Sequence, residues 1–411
     1  MPAPVFILGG AQSDFARSLS KDGRGLEDLT RDTLAACLHD ASLDATRIAS
    51  IHVGNAFGEL FTGQAHLGAM PATVEPVLWG IPAMRHEGAC ASGGLAVLAA
   101  MAEIEAGRYD CVLVMGVEQE RNVPGDQAAR YMGAAAHAGH EGLTDRFLWP
   151  AMFARIADAC AERHGLRREH LAAIAQKNFA NARRNPLAQT RHWSLTPASF
   201  ADDDEHNPIV EGSLRRHDCS QVTDGGAAVI LASAEFTAAH AAATGRSLAT
   251  YARIAGWGHR TVGLPLADKL ARSRGGALLF PHVRAAADDA YRRANISGPS
   301  ALSGVETHDC FTISEYIAID HLGITAPGES WRAIEDGTIT MGGKLPINAS
   351  GGLIGGGHPV GATGVRMLLD ATRQVTGRAG DCQIPGADRL LTFNLGGSTT
   401  TSVCFIVERA A

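Results

Sequence analysis

A mixed α/β fold built from two similar halves is what this sequence predicts, and three observations carry it. Strand-like apolar runs alternate with amphipathic helical stretches. The order strand, helix, strand, glycine-rich turn, helix, strand occurs twice. Five glycine clusters, "LGGAQSD", "GACASGGLA", "TDGGAA", "SGGLIGGGHPVGATG" and "NLGGSTTTS", hold 16 of the chain's 47 glycines. Several run straight into apolar segments, as expected of packed turns around a shared site more than of surface linkers.

The first half opens on a strand at Val5–Gly9, followed by a helix at Leu26–Ala41 and a strand at Ser50–Ala56. A glycine-rich turn then enters a helix at Cys90–Ala106, and the strand "DCVLVMGVE" follows. The second half repeats this with a strand at Ala249–Ala255, a helix at Val283–Ala294 and a strand at Leu302–His308. Its glycine-rich turn enters a helix at Gly361–Val375, and the strands "RLLTFNLGG" and "TTSVCFIVE" close it. Between the halves the texture changes to a stretch richer in His, Arg, Asn and Pro, with helices at Phe153–His164 and Glu169–Arg184. The strand "AAVILAS" returns the chain to the first sheet. The resulting division is a first half at 1–118, an inserted helical loop domain at 119–217, a return to the first half at 218–248, and a second half at 249–411. The repeat is far too long for a solenoid and reads as one duplication.

At 411 residues, 45% hydrophobic and 19% charged, the composition is that of a water-soluble globular protein. A net charge of −7 argues against nucleic acid as the main partner. No apolar run approaches the ~20 residues that span a bilayer, and "MPAPVFILGG" reads as a first strand and not as a signal peptide. Eight cysteines without a Cys-x-x-Cys pair suit a reduced, cytoplasmic enzyme.

Four residues carry the expected chemistry. Cys90 stands at a helix entry, where unpaired amides and the helix dipole are expected to lower a thiol pKa and supply a thiolate nucleophile. His358 occupies the matching turn of the second half, so facing helix starts would pair thiol with imidazole. The tripeptide His-Asp-Cys occurs twice, at 217–219 and 308–310. The two copies could supply four zinc ligands, or either could place a thiol beside an imidazole. His308 and Cys310 follow a strand aimed at the presumed site, whereas Cys219 sits beside "TDGG", where a structural role is expected.

These motifs resemble the thiolase superfamily over essentially the whole chain. The Cys90 helix, "TDGGAA", the "GGxxxxGHPxGATG" turn and the closing "NLGG" come in that family's order. His308-Asp309-Cys310-Phe311 stands where ordinary thiolases carry Asn-Glu-Ala-Phe, which is similar to the sterol-carrier-protein and archaeal types. "HGLRREHLAAIAQKNFANARRNPLAQ" also resembles that branch's loop domain. Asn394-Leu395-Gly396 replaces the usual Cys-x-Gly turn. The resemblance implies a five-layer αβαβα core, with Cys90 acylated by a thioester and His358 taking its proton. It makes Cys310 the second acid/base and has His308 hold the thioester oxygen of the second acyl group. It forms the other oxyanion hole from the amides of Cys90 and Gly396. Coenzyme A enters as a substrate, with no bound cofactor and no metal, and Arg183, Arg184, Arg215 and Arg216 are candidates for its phosphates. Expected partners are acyl-CoA and a second copy of the chain, as homodimer or tetramer, together with a small OB-fold/zinc-ribbon protein as in some relatives. The implied activity is thiolysis of 3-oxoacyl-CoA or its reverse. The alternative is an acyl-CoA-binding subunit or acyltransferase that works with a partner.

Overall fold

The computed structural model describes residues 3–410. Its first half runs β1 (Val5–Gln12), α1 (Leu26–Ala41), β2 (Ser50–Gly54), the short α2 (Gly58–Thr62) and α3 (Met70–Val74), β3 (Ala83–His86), α4 (Ser92–Glu105) and β4 (Cys111–Glu118). The insertion holds α5 (Gly125–Met132), α6 (Leu148–His164), α7 (Arg168–Ala182) and a ribbon of β5 (Ile209–Glu211) with β6 (Leu214–Arg215). Then β7 (Gly225–Ala232) and α8 (Ala234–Thr244) complete the first half. The second comprises β8 (Ala252–Thr261), α9 (Leu266–Arg272), α10 (Pro281–Arg293), β9 (Gly304–Thr307), α11 (Thr312–His321), α12 (Ser330–Glu335), α13 (Thr363–Val375), β10 (Arg389–Gly396) and β11 (Thr401–Arg409).

The sheet makes the duplication explicit. Its nine strands lie in the order β3-β2-β4-β7-β1-β8-β11-β10-β9, a near-palindrome of equivalent strands. In the first half β2 is parallel to β4, β4 antiparallel to β7, and β7 antiparallel to β1. In the second, β9 is parallel to β10, β10 antiparallel to β11, and β11 antiparallel to β8. A parallel bridge of Val305 with Ile347 stands where β3 pairs with β2. The halves join edge to edge through three residue pairs of β1 and β8.

Helices cover and separate the two half-sheets. Helix α1 rests on β1 and β7, and α10 rests on β8 and β11. Its buried residues Leu26, Leu29, Thr30, Thr33, Leu34 and Cys37 fall three and four apart, which is why α1 lies flat on the sheet. Helices α4 and α13 touch one another. They share one apolar core, in which Val97, Met101, Val365 and Leu369 meet Val112 and Leu231 of one half-sheet and Val403 and Phe405 of the other. The expected five-layer order of helix, sheet, paired helices, sheet, helix follows.

One boundary differs instructively. The strand expected at Ala249–Ala255 lies at Ala252–Thr261, because Gly256 and Gly258 do not end it. They let α10 approach: a Cβ on Gly258 would fall 1.8 Å from the Ala286 carbonyl oxygen. No helix among the described residues is long and apolar enough to cross a membrane.

Candidate active site

The two glycine-rich helix starts meet backbone to backbone. A Cβ on Gly93 would lie 2.9 Å from the Gly361 carbonyl oxygen, and one on Gly364 would lie 2.3 Å from the Gly94 amide nitrogen. This close approach brings Cys90 beside His358. Cys90 lies in a 3₁₀ turn, Ala89–Ala91, that precedes α4. Ala89 adopts φ +51°, a left-handed conformation that costs a non-glycine residue about 1–2 kcal/mol. The turn is thus held by its surroundings against local preference.

Three functional atoms converge here. Cys90 Sγ and one ring nitrogen each of His308 and His358 lie within 4.8 Å of one another. The imidazoles are perpendicular, at 89° and 5.1 Å between centroids. Neighbouring hydrogen bonds set opposite tautomers. The Thr363 hydroxyl donates to the Pro359 carbonyl at 3.0 Å, so toward His358 Nδ1 at 2.6 Å it accepts. Nδ1 of His358 therefore carries the proton, and Nε2 is a free base. The Asn394 amide Nδ2 donates to the Cys90 carbonyl at 2.9 Å and to His308 Nδ1 at 3.2 Å. His308 Nε2 therefore carries a proton, making it a donor. Neither Nε2 has a protein partner. One imidazole can take a proton while the other steadies an oxygen.

Burial governs the charges. It lowers His358 to about 3, and burial together with neighbouring His358 holds His308 well below the usual histidine range. Burial pushes the Cys90 thiol up to about 12, with Glu120 adding to it and the amides of Gly397 and Cys90 pulling back. The helix start was expected to lower this thiol; with Cys90 half-buried, desolvation and the amide donors act in opposite directions, and desolvation is the larger. Cys90 and His358 therefore rest as a neutral thiol and a neutral imidazole, and the proton moves only when substrate arrives. Alkylation of Cys90 by iodoacetamide should rise about tenfold per pH unit between roughly pH 7 and 9, because thiolate remains the minor form throughout. A plateau near neutrality, followed by peptide mass spectrometry, would contradict the neutral pair.

The tripeptide at 308–310 alternates across the end of β9. Asp309 points away from the site and accepts from the amides of Leu353 and Ile354 at 2.6 and 3.2 Å and from Asn178 at 2.7 Å. Cys310 faces the same cavity as Cys90, and its thiol lies 3.6 Å from the Ser314 hydroxyl. Burial first, then Cys90, hold the Cys310 thiol well above the usual range. The other copy runs alongside: Cys219 bridges Phe311, and the Ser220 amide donates to the Cys310 carbonyl at 2.9 Å. Cys219 lines the cavity too, but His217 turns away to pack on Phe179 and Phe200. The four-ligand zinc arrangement is not assembled. Among the described residues the grouping with metal-like spacing is Cys90, His308 and His358, and a metal held there would occupy the Cys90 sulfur.

Gly396 and the four arginines also have definite places. Gly396 ends β10 paired with Thr401, and the amide against the Cys90 thiol is that of Gly397. Lys269 clamps this turn, its ammonium donating to the Ser398 carbonyl and hydroxyl and to the Thr400 hydroxyl at 2.6–2.8 Å. None of the four arginines lines the thiol cavity. Arg215 is paired with Asp202 and Asp204 at 2.6 and 2.7 Å, Arg183 and Arg184 line a separate cleft with Arg191 and Arg373, and Arg216 is exposed.

Sequence reasoning missed the positioning role of Thr363 and the donor role of Asn394. It also missed Glu120, which is buried in the cavity wall. The available signal was Glu118 and Glu120 spaced two apart at the carboxyl end of β4, where ligands of α/β sheets gather. The cavity measures about 260 Å³, and Phe57, Met132, Phe147, Trp149, Phe153 and Phe311 line much of its wall.

A duplicated α/β frame whose facing helix starts bring a thiol beside an imidazole, with a second imidazole just after β9, defines a thiolase-type fold. The chain belongs to the thiolase family: residues 5–235 match the model of the thiolase N-terminal domain, and residues 267–409 match that of the thiolase C-terminal domain-like family. It is 31% identical over 406 residues to an acetyl-CoA acetyltransferase of Methanothermobacter thermautotrophicus, covering 98% of this chain and 99% of that one. It is 28% identical to sterol carrier protein 2 of Gallus gallus, covering 96% of this chain and 70% of that one. Among solved structures, an Ltp2-ChsH2(DUF35) aldolase superposes with a TM-score of 0.77 at 22% identity, covering 100% of this chain and 98% of the other.

Proposed function

We propose that this protein is an acyl-CoA C-acyltransferase that cleaves 3-oxoacyl-CoA with coenzyme A, or runs the reverse condensation, through an acyl-Cys90 intermediate. The observation that supports it most is the pair of opposite tautomers around Cys90. His358 Nε2 takes the thiol proton as Cys90 Sγ attacks the 3-oxo carbonyl. That oxyanion is met by the amides of Cys90 and Gly397. When the C–C bond breaks, the departing acetyl-CoA enolate keeps the bonding electrons, and His308 Nε2–H hydrogen-bonds its oxygen. Cys310 then donates a proton to the enolate carbon. Coenzyme A finally gives its thiol proton to the Cys310 thiolate and, as a thiolate, displaces the shortened acyl group from Cys90, whose sulfur takes its own proton back from His358. The neutral resting thiol of Cys310 suits the cleavage direction, in which it enters as an acid. Thiols and imidazoles suffice for this chemistry, with coenzyme A as substrate and no resident cofactor or metal.

The aromatic cavity wall suits an apolar acyl chain. The eight cysteines stand as free thiols, which suits a reducing, cytoplasmic compartment. A second reading, an acyl-CoA-binding or transferring subunit that needs a partner protein, draws on the paired-protein name of the aldolase neighbour. A panel of acyl-CoA and 3-oxoacyl-CoA esters assayed with the protein alone separates the two. Turnover without any partner supports the first, and binding without turnover supports the second.

A homodimer also belongs to this proposal. Strand β3 is the free edge of the sheet, and Met84 on it, with Leu60, Val77 and Trp79 nearby in the chain, exposes apolar surface, Trp79 at 74%. Such an edge is a site for pairing with a second copy. Sedimentation at micromolar concentration should give a dimer or larger, and Trp79→Glu should shift it toward monomer. A wild-type monomer would count against the assembly.

A further inference from the structure

Two glutamates lie two residues apart at the end of β4, and the fold treats them oppositely. Glu118 is fully bonded, accepting from the Asn55 side-chain amide and from the amides of Ala56, Phe57 and Gly361 at 2.9–3.0 Å. Glu120 is 1% exposed and lines the cavity with Cys90, Phe57, Val360 and His358. The amides of Val360 and Thr223 approach its carboxyl, but neither side-chain oxygen is met with hydrogen-bond geometry. The residue cannot retreat, because its amide and that of Arg121 both donate to Asp224 at 2.7 and 2.8 Å. The Arg121 guanidinium offers no help, since it donates to the carbonyls of Ala16 and Arg17. A buried polar group that does no structural work and faces a substrate cavity marks a recognition point.

We infer that Glu120 selects among acyl chains: it hydrogen-bonds a hydroxyl or carbonyl oxygen carried on the chain beyond the thioester carbon. This rests on the acyl-transfer reading above and adds the substrate class to it. Burial, reinforced by Glu118 and Asp224, holds the Glu120 carboxyl well above the usual carboxylate range. A carboxyl held up in this way accepts through its oxygens and, once protonated, also donates. A plain hydrocarbon chain packed against it leaves both oxygens unpaired in an apolar enclosure. A chain with an oxygen at that point pairs them, and sites built this way discriminate strongly against the analogue that lacks the partner.

The test is binding, separated from chemistry. In a Cys90→Ala background, calorimetry compares butanoyl-CoA with 3-hydroxybutanoyl-CoA and 4-hydroxybutanoyl-CoA. At least one hydroxylated ester should bind about tenfold tighter than butanoyl-CoA. Adding Glu120→Leu should erase that ratio, whereas Glu120→Gln, which keeps a donor and the shape, should retain most of it. Butanoyl-CoA binding as tightly as both hydroxylated esters, or a preference that survives Glu120→Leu, overturns the assignment and leaves the acyl-transfer reading standing. Failure of every ester to bind overturns both.

Discussion

Replacing Cys90 with alanine should lower acyl transfer by roughly 10⁴-fold or more, the scale on which enzymes lose activity with their nucleophile. The imidazole of His358 stays in place in that variant, because Thr363 and the backbone around Pro359 hold it independently. What disappears is the sulfur that breaks one difficult transfer into two easier ones. Folding should be spared: Cys90 is half-buried and only borders the small cluster around Phe57 and Val360, so stability should change by about 1 kcal/mol or less. Mass spectrometry of the wild type mixed with acyl-CoA should place a thioester adduct on the Cys90 peptide. An adduct on Cys310 or Cys219 would sink the assignment, and the geometry gives that outcome some bite, because all three thiols line one cavity.

Replacing Cys310 with alanine should separate the two half-reactions. Acylation of Cys90 needs only His358 and the oxyanion amides, so the adduct should form at a near-normal rate. Making or breaking the C–C bond needs a group that moves a proton at the α-carbon, and its loss should cut turnover by ~10²-fold or more. No other residue takes over, because Asn394 cannot exchange a proton near neutral pH and its amide is engaged with the Cys90 carbonyl and His308. Following the adduct and acetoacetyl-CoA turnover separately decides the matter. Turnover near wild type would make Cys310 a structural thiol.

Much of the frame was legible because it repeats. Chain order and glycine clusters were enough to align the two halves, and that alignment brought Cys90 opposite His358 before any coordinates. The period-two character of a strand end placed His308 and Cys310 on one side. The rest was hidden for physical reasons. Helix α11, immediately after Phe311, is buried at all ten positions, so "TISEYIAIDH" has no polar face to give it a helical rhythm. Edge strand β3 spans only four residues. The direction of the Cys90 pKa shift depends on how much water reaches the turn, which is a property of the closed cavity and not of a helix start. Which backbone amide comes against the Cys90 thiol, that of Gly396 or of Gly397, depends on where β10 leaves the ladder. The spacing of Glu118 and Glu120 was in view, but that Glu120 is buried in the cavity wall is known only from what surrounds it.

The backbone contact between the two halves at Gly93 and Gly364 has a consequence for how the molecule comes apart. Neither half owns the central layer, since α4 and α13 complete each other's core, α13 touches β1, β4 and β7 of the first half, and a Cβ on Gly94 of α4 would lie 3.3 Å from Val403 of β11. A fragment ending near residue 248 would carry α4 with one flank stripped bare, and so would behave as a sticky intermediate more than as a domain. Melting should therefore be a single cooperative transition, with Cys90 and His358 parting in the same step as the core. Loss of acylation on heating should track loss of helix signal degree for degree.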